Sequence, residues 1–103
     1  MKKELIKKIR KELEDFRNEM LSCSKEEIYA NAYEITMKEE IAVLLDHKII
    51  SNERAKALCN LSNSLDFFYN TWMNGDYDLL YEAIDFVLEE KQEDISSDRE
   101  DWI

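Results

Sequence analysis

Apolar residues recur at helical spacing along most of this 103-residue chain. Near the start, large apolar side chains are separated by steps of four, four, three and four: Leu5, Ile9, Leu13, Phe16 and Met20. These steps place side chains on one face of a helix with about 3.6 residues per turn. The chain has no proline and one glycine, so little in it breaks a helix. The pattern predicts an all-α fold without strands and a first helix over residues 2–21.

A second long helix is predicted to begin after Ser24 and to run to about Asp46. Ser24 and Glu27 have the spacing of a capping box, in which each side chain satisfies a backbone N–H at the helix start. The inner face of this helix is predicted to carry Ala30, Tyr33, Met37, Ile41 and Leu44, widened by Ile28 and Leu45. His47 and Lys48 suit its end, because cations complement the last carbonyl groups.

Three shorter helices are expected in the second half of the chain. Ser51 is the predicted N-cap of the first, and Ser64 that of an aromatic helix over residues 65–74. The inward residues of the first short helix are expected to be Ala55, Leu58 and Cys59.

The only glycine and the residue after it are expected to separate the last two helices. Gly75 is predicted to end the aromatic helix in a left-handed conformation, and Asp76 to cap the last helix, which runs to about Lys91. Residues 1–92 are thus predicted to form one compact bundle of about five helices, and residues 93–103 a flexible acidic tail.

The formal net charge of −10 limits the partners that this chain can bind. A strongly negative surface repels the phosphates of DNA, RNA and anionic membranes. It suits a basic protein surface, such as that of a nucleic-acid-binding enzyme. No apolar run approaches the length of about 18 residues that spans a membrane, and the start lacks the apolar block of a secretory signal. We therefore expect a cytoplasmic protein, in a bacterial or host-cell cytosol.

The charge is unevenly distributed along the chain. Residues 2–11 hold six basic side chains against Glu4, a net charge of +5, which leaves −15 for the remainder. One interpretation is a solvated helix face that meets the acidic body of the same domain, and this is the one we favour. The other is a contact with an acidic partner or with a second copy of the chain, which would give a homodimer.

No set of residues with catalytic or metal-binding spacing is recognised in the sequence. His47 lacks a second ligand or a nucleophile at a useful distance along the chain, and Cys23 and Cys59 stand alone. A single glycine, Gly75, excludes a glycine-rich phosphate loop. We expect a protein that is not an enzyme and has no cofactor or metal, with both cysteines acting as small apolar side chains.

Acidic residues follow helical spacing in the predicted last helix. The row consists of Asp78, Glu82, Asp85, Glu89 and, if the helix extends, Glu93. The opposite side carries Leu80, Ile84, Val87 and Leu88. Like charges at this spacing slightly destabilise a helix, so the row is not explained by the stability of the helix. It is either a solvated face that keeps the protein soluble or a row of carboxylates that imitates backbone phosphates. Small acidic helical inhibitors carried by phages resemble this second case in type.

Six aromatic residues lie within fifteen positions around the aromatic helix: Phe67, Phe68, Tyr69, Trp72, Tyr77 and Tyr81. Most are expected in the core, but six adjacent rings cannot all face inward on two amphipathic helices. Some of Tyr69, Trp72 and Tyr77 should lie at the surface, where aromatic side chains commonly supply binding energy. We therefore add Trp72 and Tyr77 to the acidic row as candidate partner-binding residues.

The second helix carries a more specific likeness. The segment Asn31-Ala32-Tyr33-Glu34-Ile35-Thr36, followed by Lys38-Glu39-Glu40-Ile41, resembles the His-Ala-Tyr-Glu-Tyr-Thr-x-Arg-Glu-Asp-Ile stretch of a bacterial domain family of unknown function. Ala55-Lys56-Ala57-Leu58 and the spacing of Leu65, Tyr69 and Trp72 extend the likeness over roughly residues 13–90. Asn31 departs from the family's histidine. The resemblance implies a bacterial, often mobile-element setting and names no reaction. The motif could be structural or functional, and Glu34 is expected to pair with Lys38 four residues on.

These observations predict a non-catalytic binding protein. The leading hypothesis is an acidic, nucleic-acid-mimicking inhibitor of the anti-CRISPR type that occupies a basic DNA or RNA channel of a bacterial nuclease. The alternative is a helical adaptor or homodimerisation module of a mobile-element protein, in which the basic start meets the acidic last helix of a partner.

Overall fold

The computed structural model describes residues 1–97, with side chains for residues 1–89, and all of its regular structure is helical. Its six helices are α1 (Lys2–Leu21), α2 (Lys25–Ala30), α3 (Ala32–Asp46), α4 (Asn52–Cys59), α5 (Ser64–Asn74) and α6 (Leu80–Ser97). The predicted all-α bundle is confirmed, and α1 has the predicted bounds. Helix α6 continues beyond the predicted end at Lys91. The last part of the predicted tail, residues 98–103, lies outside the described residues.

The core is formed by one apolar face from each of five helices. Its fully buried members include Leu5, Ile9, Ile41, Leu45, Leu58, Leu65, Phe68, Ile84 and Val87. Helix α1 packs against α3, α4 and α5, while α6 packs against α5 and α3. Each buried aliphatic side chain contributes roughly 1.5–3 kcal/mol, so this shared core is what holds α6 in place.

The predicted second helix is divided in two at Asn31. The side-chain amide of Asn31 donates to the carbonyl of Glu27 at 2.8 Å, and its backbone N–H is also bonded to the preceding turn. Asparagine offers the backbone such local alternatives to a continuous helix. The prediction of one unbroken helix was therefore wrong. Helix α2, on the near side of the break, has no buried residue.

The buried face of α3 is rotated relative to the predicted one. Lys38, Ile41 and Leu45 are buried, whereas Ala30 and Tyr33 are exposed. Half-buried positions flanking this face are Met37 and Leu44. The face is rotated because the aliphatic stem of Lys38 is buried, with its ammonium held in ion pairs with Glu34 and Asp66. Hydrophobicity alone predicts that apolar neighbours of this lysine are buried instead.

Two of the predicted caps are confirmed and one is displaced. Ser24 and Glu27 form the capping box of α2, and the Ser51 hydroxyl accepts the N–H of Arg54 at 3.1 Å. At the start of α5 the cap is Asn63 and not Ser64. Ser64 is the first helical residue and is buried, and its hydroxyl donates to the carbonyl of Leu58 at 2.6 Å.

The segment between α5 and α6 differs from its prediction. Gly75 has φ −95°, so the expected left-handed conformation was wrong. A Cβ atom at Gly75 would overlap the ring of Tyr77, so a larger residue here would displace that ring. Asp76 does not cap α6, which begins four residues later. The N–H of Leu79 donates to Oε1 of Glu82 at 3.2 Å, which fixes the start of the helix instead.

Candidate interaction surface

Helix α6 separates an apolar inner side from a polar outer side. Ile84 and Val87 are buried, as the spacing predicted, and so is Ala83. The inner side also carries Leu80 and Leu88, which are half-buried and pack against the core. The guanidinium Nε of Arg54 in α4 donates to the carbonyl of Val87 at 2.7 Å, which adds a polar anchor to the apolar one. The outer side is thereby fixed toward solvent.

Only some members of the predicted acidic row lie on one exposed line of α6. Asp78 is exposed but precedes the first residue of α6 by two positions, so the single helical line from Asp78 was wrong. Within α6, Glu82 and Glu89 are exposed, and Glu82 also accepts the Leu79 N–H. Asp85 pairs with the ammonium of Lys48 at 2.7 Å. The side chain of Glu93, the last predicted member, lies outside the described residues.

Aromatic and apolar side chains flank these carboxylates. Phe86 is 43% exposed and lies on the same outer side as Glu82 and Glu89, because each α-helical residue turns about 100° from the last. The rings of Tyr77 and Phe86 have centroids 6.0 Å apart. Leu79, which is 50% exposed, precedes the helix. On the other flank, the ring of Tyr81 lies 5.5 Å from the Lys48 ammonium.

A shallow groove continues this surface onto α5. It has a volume of about 400 Å³, and it is lined by Phe67, Asn70, Thr71, Asn74, Gly75 and Tyr77. Phe67 is itself exposed. We call the whole surface the acidic–aromatic face; it consists of Phe67, Tyr77, Asp78, Leu79, Glu82, Phe86 and Glu89. Phe86 was missed in the sequence, although its spacing from Ile84 and Val87 takes it off the inner stripe.

Trp72, the other predicted surface aromatic, is half-buried. Its indole N–H donates to the hydroxyl of Tyr33 at 2.9 Å. This bond joins α5 to α3. Tyr33, which belongs to the segment that resembles the bacterial family, therefore makes a contact within the fold. Tyr77 is also half-buried, but it belongs to the acidic–aromatic face.

The basic start of the chain is largely engaged within the molecule. The Lys2 ammonium donates to the carbonyl of Asp46 at 3.0 Å, and Arg10 pairs with the carboxylate of the same residue at 2.8 Å. Further pairs within the molecule are Lys8–Glu12, Lys11–Asp15 and Arg17–Glu39. Among the described residues, the side chains of Lys3 and Lys7 make no hydrogen bond or ion pair. The contacts favour the interpretation of a helix face that meets the acidic body.

A buried cation lies where α1, α3 and α5 meet. Lys38 is 4% exposed, and its ammonium lies 2.7 Å from a carboxylate oxygen of Glu34 and 2.7 Å from one of Asp66. The ring of Phe16 lies 3.9 Å from it, a cation–π contact. Burial opposes the charged form, but the bonds to Asp66 and Glu34 outweigh it and raise the pKa of Lys38. The expected Glu34–Lys38 pair is confirmed and serves packing.

The residues that could carry chemistry lie apart from one another. His47 is exposed at the end of α3, while Cys23 and Cys59 are half-buried at the end of α1 and in α4. Within the described residues, histidine, cysteine and carboxylate side chains form no group of three or more that could hold a metal. None of the helices in that part of the chain is long and apolar enough to cross a membrane.

Comparison of the chain with protein-family models, with curated proteins and with solved structures gave no match. The resemblance around Ala32-Tyr33-Glu34 therefore stays a prediction.

Proposed function

We propose that this chain is a non-catalytic binding protein that docks on a basic protein surface through the acidic–aromatic face. The partner that fits best is a nucleic-acid-binding enzyme, such as a bacterial nuclease, whose basic channel the protein occupies as an inhibitor of the anti-CRISPR type. The observation that carries the proposal is the placement of Glu82 and Glu89 on one exposed side of α6, with Phe86 on the same side and Asp78 close before it.

The electrostatic argument depends on the spacing of the carboxylates. Glu82 and Glu89 are seven residues apart, which is about 10 Å along a helix that rises about 1.5 Å per residue. A nucleic-acid strand likewise carries a series of negative charges, one about every 3.4 Å of axis in one strand of a duplex, so a channel that binds such a strand presents several cations along its length. A basic channel that follows a phosphate backbone can therefore accept both charges at once, and the net charge of −10 speeds the encounter.

The apolar members of the face supply binding energy that the charged residues alone do not. Exposed pairs of ions in water contribute little, whereas aromatic side chains that become buried at the centre of an interface dominate its binding energy. Phe86 and Tyr77 lie next to the carboxylates and are partly exposed. Their burial on binding would slow dissociation, while the acidic residues set orientation and choice of partner.

The alternative function, a helical adaptor or homodimer, depends on a free basic surface on α1. Lys2 and Arg10 are already bound to Asp46, and other basic residues of this helix pair within the chain. Lys3 and Lys7 remain for the acidic helix of a second copy, a smaller free basic surface than the six basic residues of this segment suggest. Sedimentation velocity at low and at high salt is expected to show a monomer throughout. A dimer that dissociates in high salt would favour the alternative.

The proposal is tested by reversing charges on the face. The test variant carries Asp78→Lys, Glu82→Lys and Glu89→Lys, and it leaves Asp85 in place because that residue pairs with Lys48. A matched control reverses three exposed carboxylates elsewhere on the molecule: Glu26→Lys, Glu40→Lys and Glu53→Lys. Circular dichroism checks that both variants are folded.

Each protein is then immobilised and exposed to nuclease-treated bacterial lysate, and the retained basic proteins are compared. We expect the wild type and the control to retain the same nucleic-acid-binding protein and the test variant to lose it. Equal retention by all three proteins would show that the face is not the binding surface.

A further inference from the structure

The rings on the acidic–aromatic face distinguish two kinds of nucleic acid. A duplex stacks its bases inside and presents mainly phosphates, whereas a single strand also presents the faces of unstacked bases. Phe67, Leu79 and Phe86 are all at least 39% exposed. The Phe86 ring lies against Tyr77, and Phe67 lines the same groove as Tyr77 on the side of α5. A face of this kind carries both elements of a single strand, negative charge and accessible rings.

We propose that the acidic–aromatic face imitates single-stranded nucleic acid, and that its partner is a protein with a basic groove lined by aromatic side chains. Such grooves combine cations that follow the phosphate backbone with rings on which successive bases stack. The carboxylates are complementary to the cations, and Phe86 and Phe67 are complementary to the rings. This inference rests on the proposed function and narrows it to one class of partner.

Contacts within the fold limit the freedom of two of the rings. The ring centroids of Phe86 and Tyr77 are 6.0 Å apart, and the Tyr77 ring occupies the space that a Cβ at position 75 would take. The groove beside Tyr77 is lined in part by two asparagines, Asn70 and Asn74. Amide groups offer hydrogen-bond donors and acceptors, as the edges of bases do. Preorganised rings lose little freedom on binding, which favours affinity.

The first test is competition. The immobilised wild-type protein is loaded from nuclease-treated lysate and then washed with oligo(dT) of about 20 nucleotides, longer than the usual site of roughly 4–16 nucleotides. A parallel wash uses a duplex at equal phosphate concentration. We expect oligo(dT) to release the retained protein at about a tenfold lower concentration than the duplex.

The outcomes separate the two proposals. If the duplex releases the retained protein as readily as oligo(dT) or more so, the inference about single strands is overturned while the proposed function stands. If neither nucleic acid releases it, both are overturned.

The second test removes rings and keeps every charge. Phe86→Ser is expected to weaken binding of the released protein about tenfold, since loss of one stacking partner has an effect of that order. The matched control is Tyr29→Ser, which removes a ring that is 84% exposed on α2; it should bind like the wild type. Should Phe86→Ser fail to fold, Phe67→Ser on α5 is expected to give the same loss. Wild-type affinity in a folded ring variant, or an equal loss in the control, would overturn the inference.

Discussion

The burial of Lys38 depends on a few neighbouring side chains. Lysine is rarely buried, because its ammonium loses hydration. Here Glu34 and Asp66 each bond to the ammonium, and the ring of Phe16 lies against it. Since desolvation offsets much of the Coulomb energy of such a pair, the arrangement depends on all partners being present.

Replacement of Lys38 by methionine should therefore destabilise the protein. Glu34 and Asp66 would face each other without their cation, although both are partly exposed and keep some water. We expect Lys38→Met to lower the free energy of unfolding by about 1–3 kcal/mol in urea titrations. The control Lys56→Met, at an exposed position of α4, should change it by less than about 0.5 kcal/mol. Equal effects of the two substitutions would contradict the role of the cluster.

The same residue gives a pH dependence with a defined sign. Burial opposes the charge of Lys38, but the bonds of Asp66 and Glu34 prevail, so its pKa is raised in the folded state. A raised pKa stabilises the fold below the unfolded value of about 10.4, and this contribution is lost as the pH rises through the folded value. The difference in unfolding free energy between the wild type and Lys38→Met should be constant from about pH 7 to 9 and shrink above about pH 10.5. A difference that grows in that alkaline range would contradict this account.

Local sequence patterns determine some features of the helices but not others. The bounds of α1 and the caps at Ser24 and Ser51 follow from neighbours within a few residues, and all three were predicted. The start of α5 was predicted one residue late. Asn63 caps it locally, and Glu12 in α1 also accepts the backbone N–H groups of Ser64 and Leu65 at 3.1 and 2.9 Å. A partner more than fifty residues away leaves no local pattern.

Loss of the Glu12 carboxylate should affect the start of α5. In Glu12→Ala two partly buried backbone donors lose their acceptor, which costs about 1–3 kcal/mol. The comparison is Glu14→Ala, an exposed glutamate of the same helix, for which little change is expected. Thermal unfolding of both variants measures the difference. If Glu12→Ala were as stable as Glu14→Ala, the cap across helices would be unimportant.

Gly75 and Tyr77 form a pair whose coupling can be measured. Because a Cβ at position 75 would overlap the Tyr77 ring, Gly75→Ala should lower the free energy of unfolding by about 1–3 kcal/mol. In the background of Tyr77→Ala the same change should cost nothing, since the clash is gone and alanine restricts the unfolded chain. A double-mutant cycle in denaturant gives the coupling energy. A cost that is the same in both backgrounds would contradict the steric explanation.

At the scale of the whole molecule, charge is arranged in a way that sequence shows only in part. The basic start and the acidic remainder are evident in the sequence, and so is the acidic side of α6. The pairing of Asp85 with Lys48 and the closeness of Tyr77 to Phe86 join different elements, so spacing along the chain could not predict them. They change the candidate site from a plain row of carboxylates into a mixed face.

The measurement that tests the central claim most directly is the dissociation constant of the retained nucleic-acid-binding protein, purified, for three forms of this chain. These are the wild type, the variant with Asp78, Glu82 and Glu89 changed to lysine, and the control with Glu26, Glu40 and Glu53 changed to lysine. Both variants have the same net charge. The account predicts that the first variant binds about 100-fold more weakly or worse, because opposed charges meet at the interface, while the control stays within a few-fold of the wild type. An equal loss in both variants would mean that net charge alone governs binding and would contradict the assignment of the acidic–aromatic face.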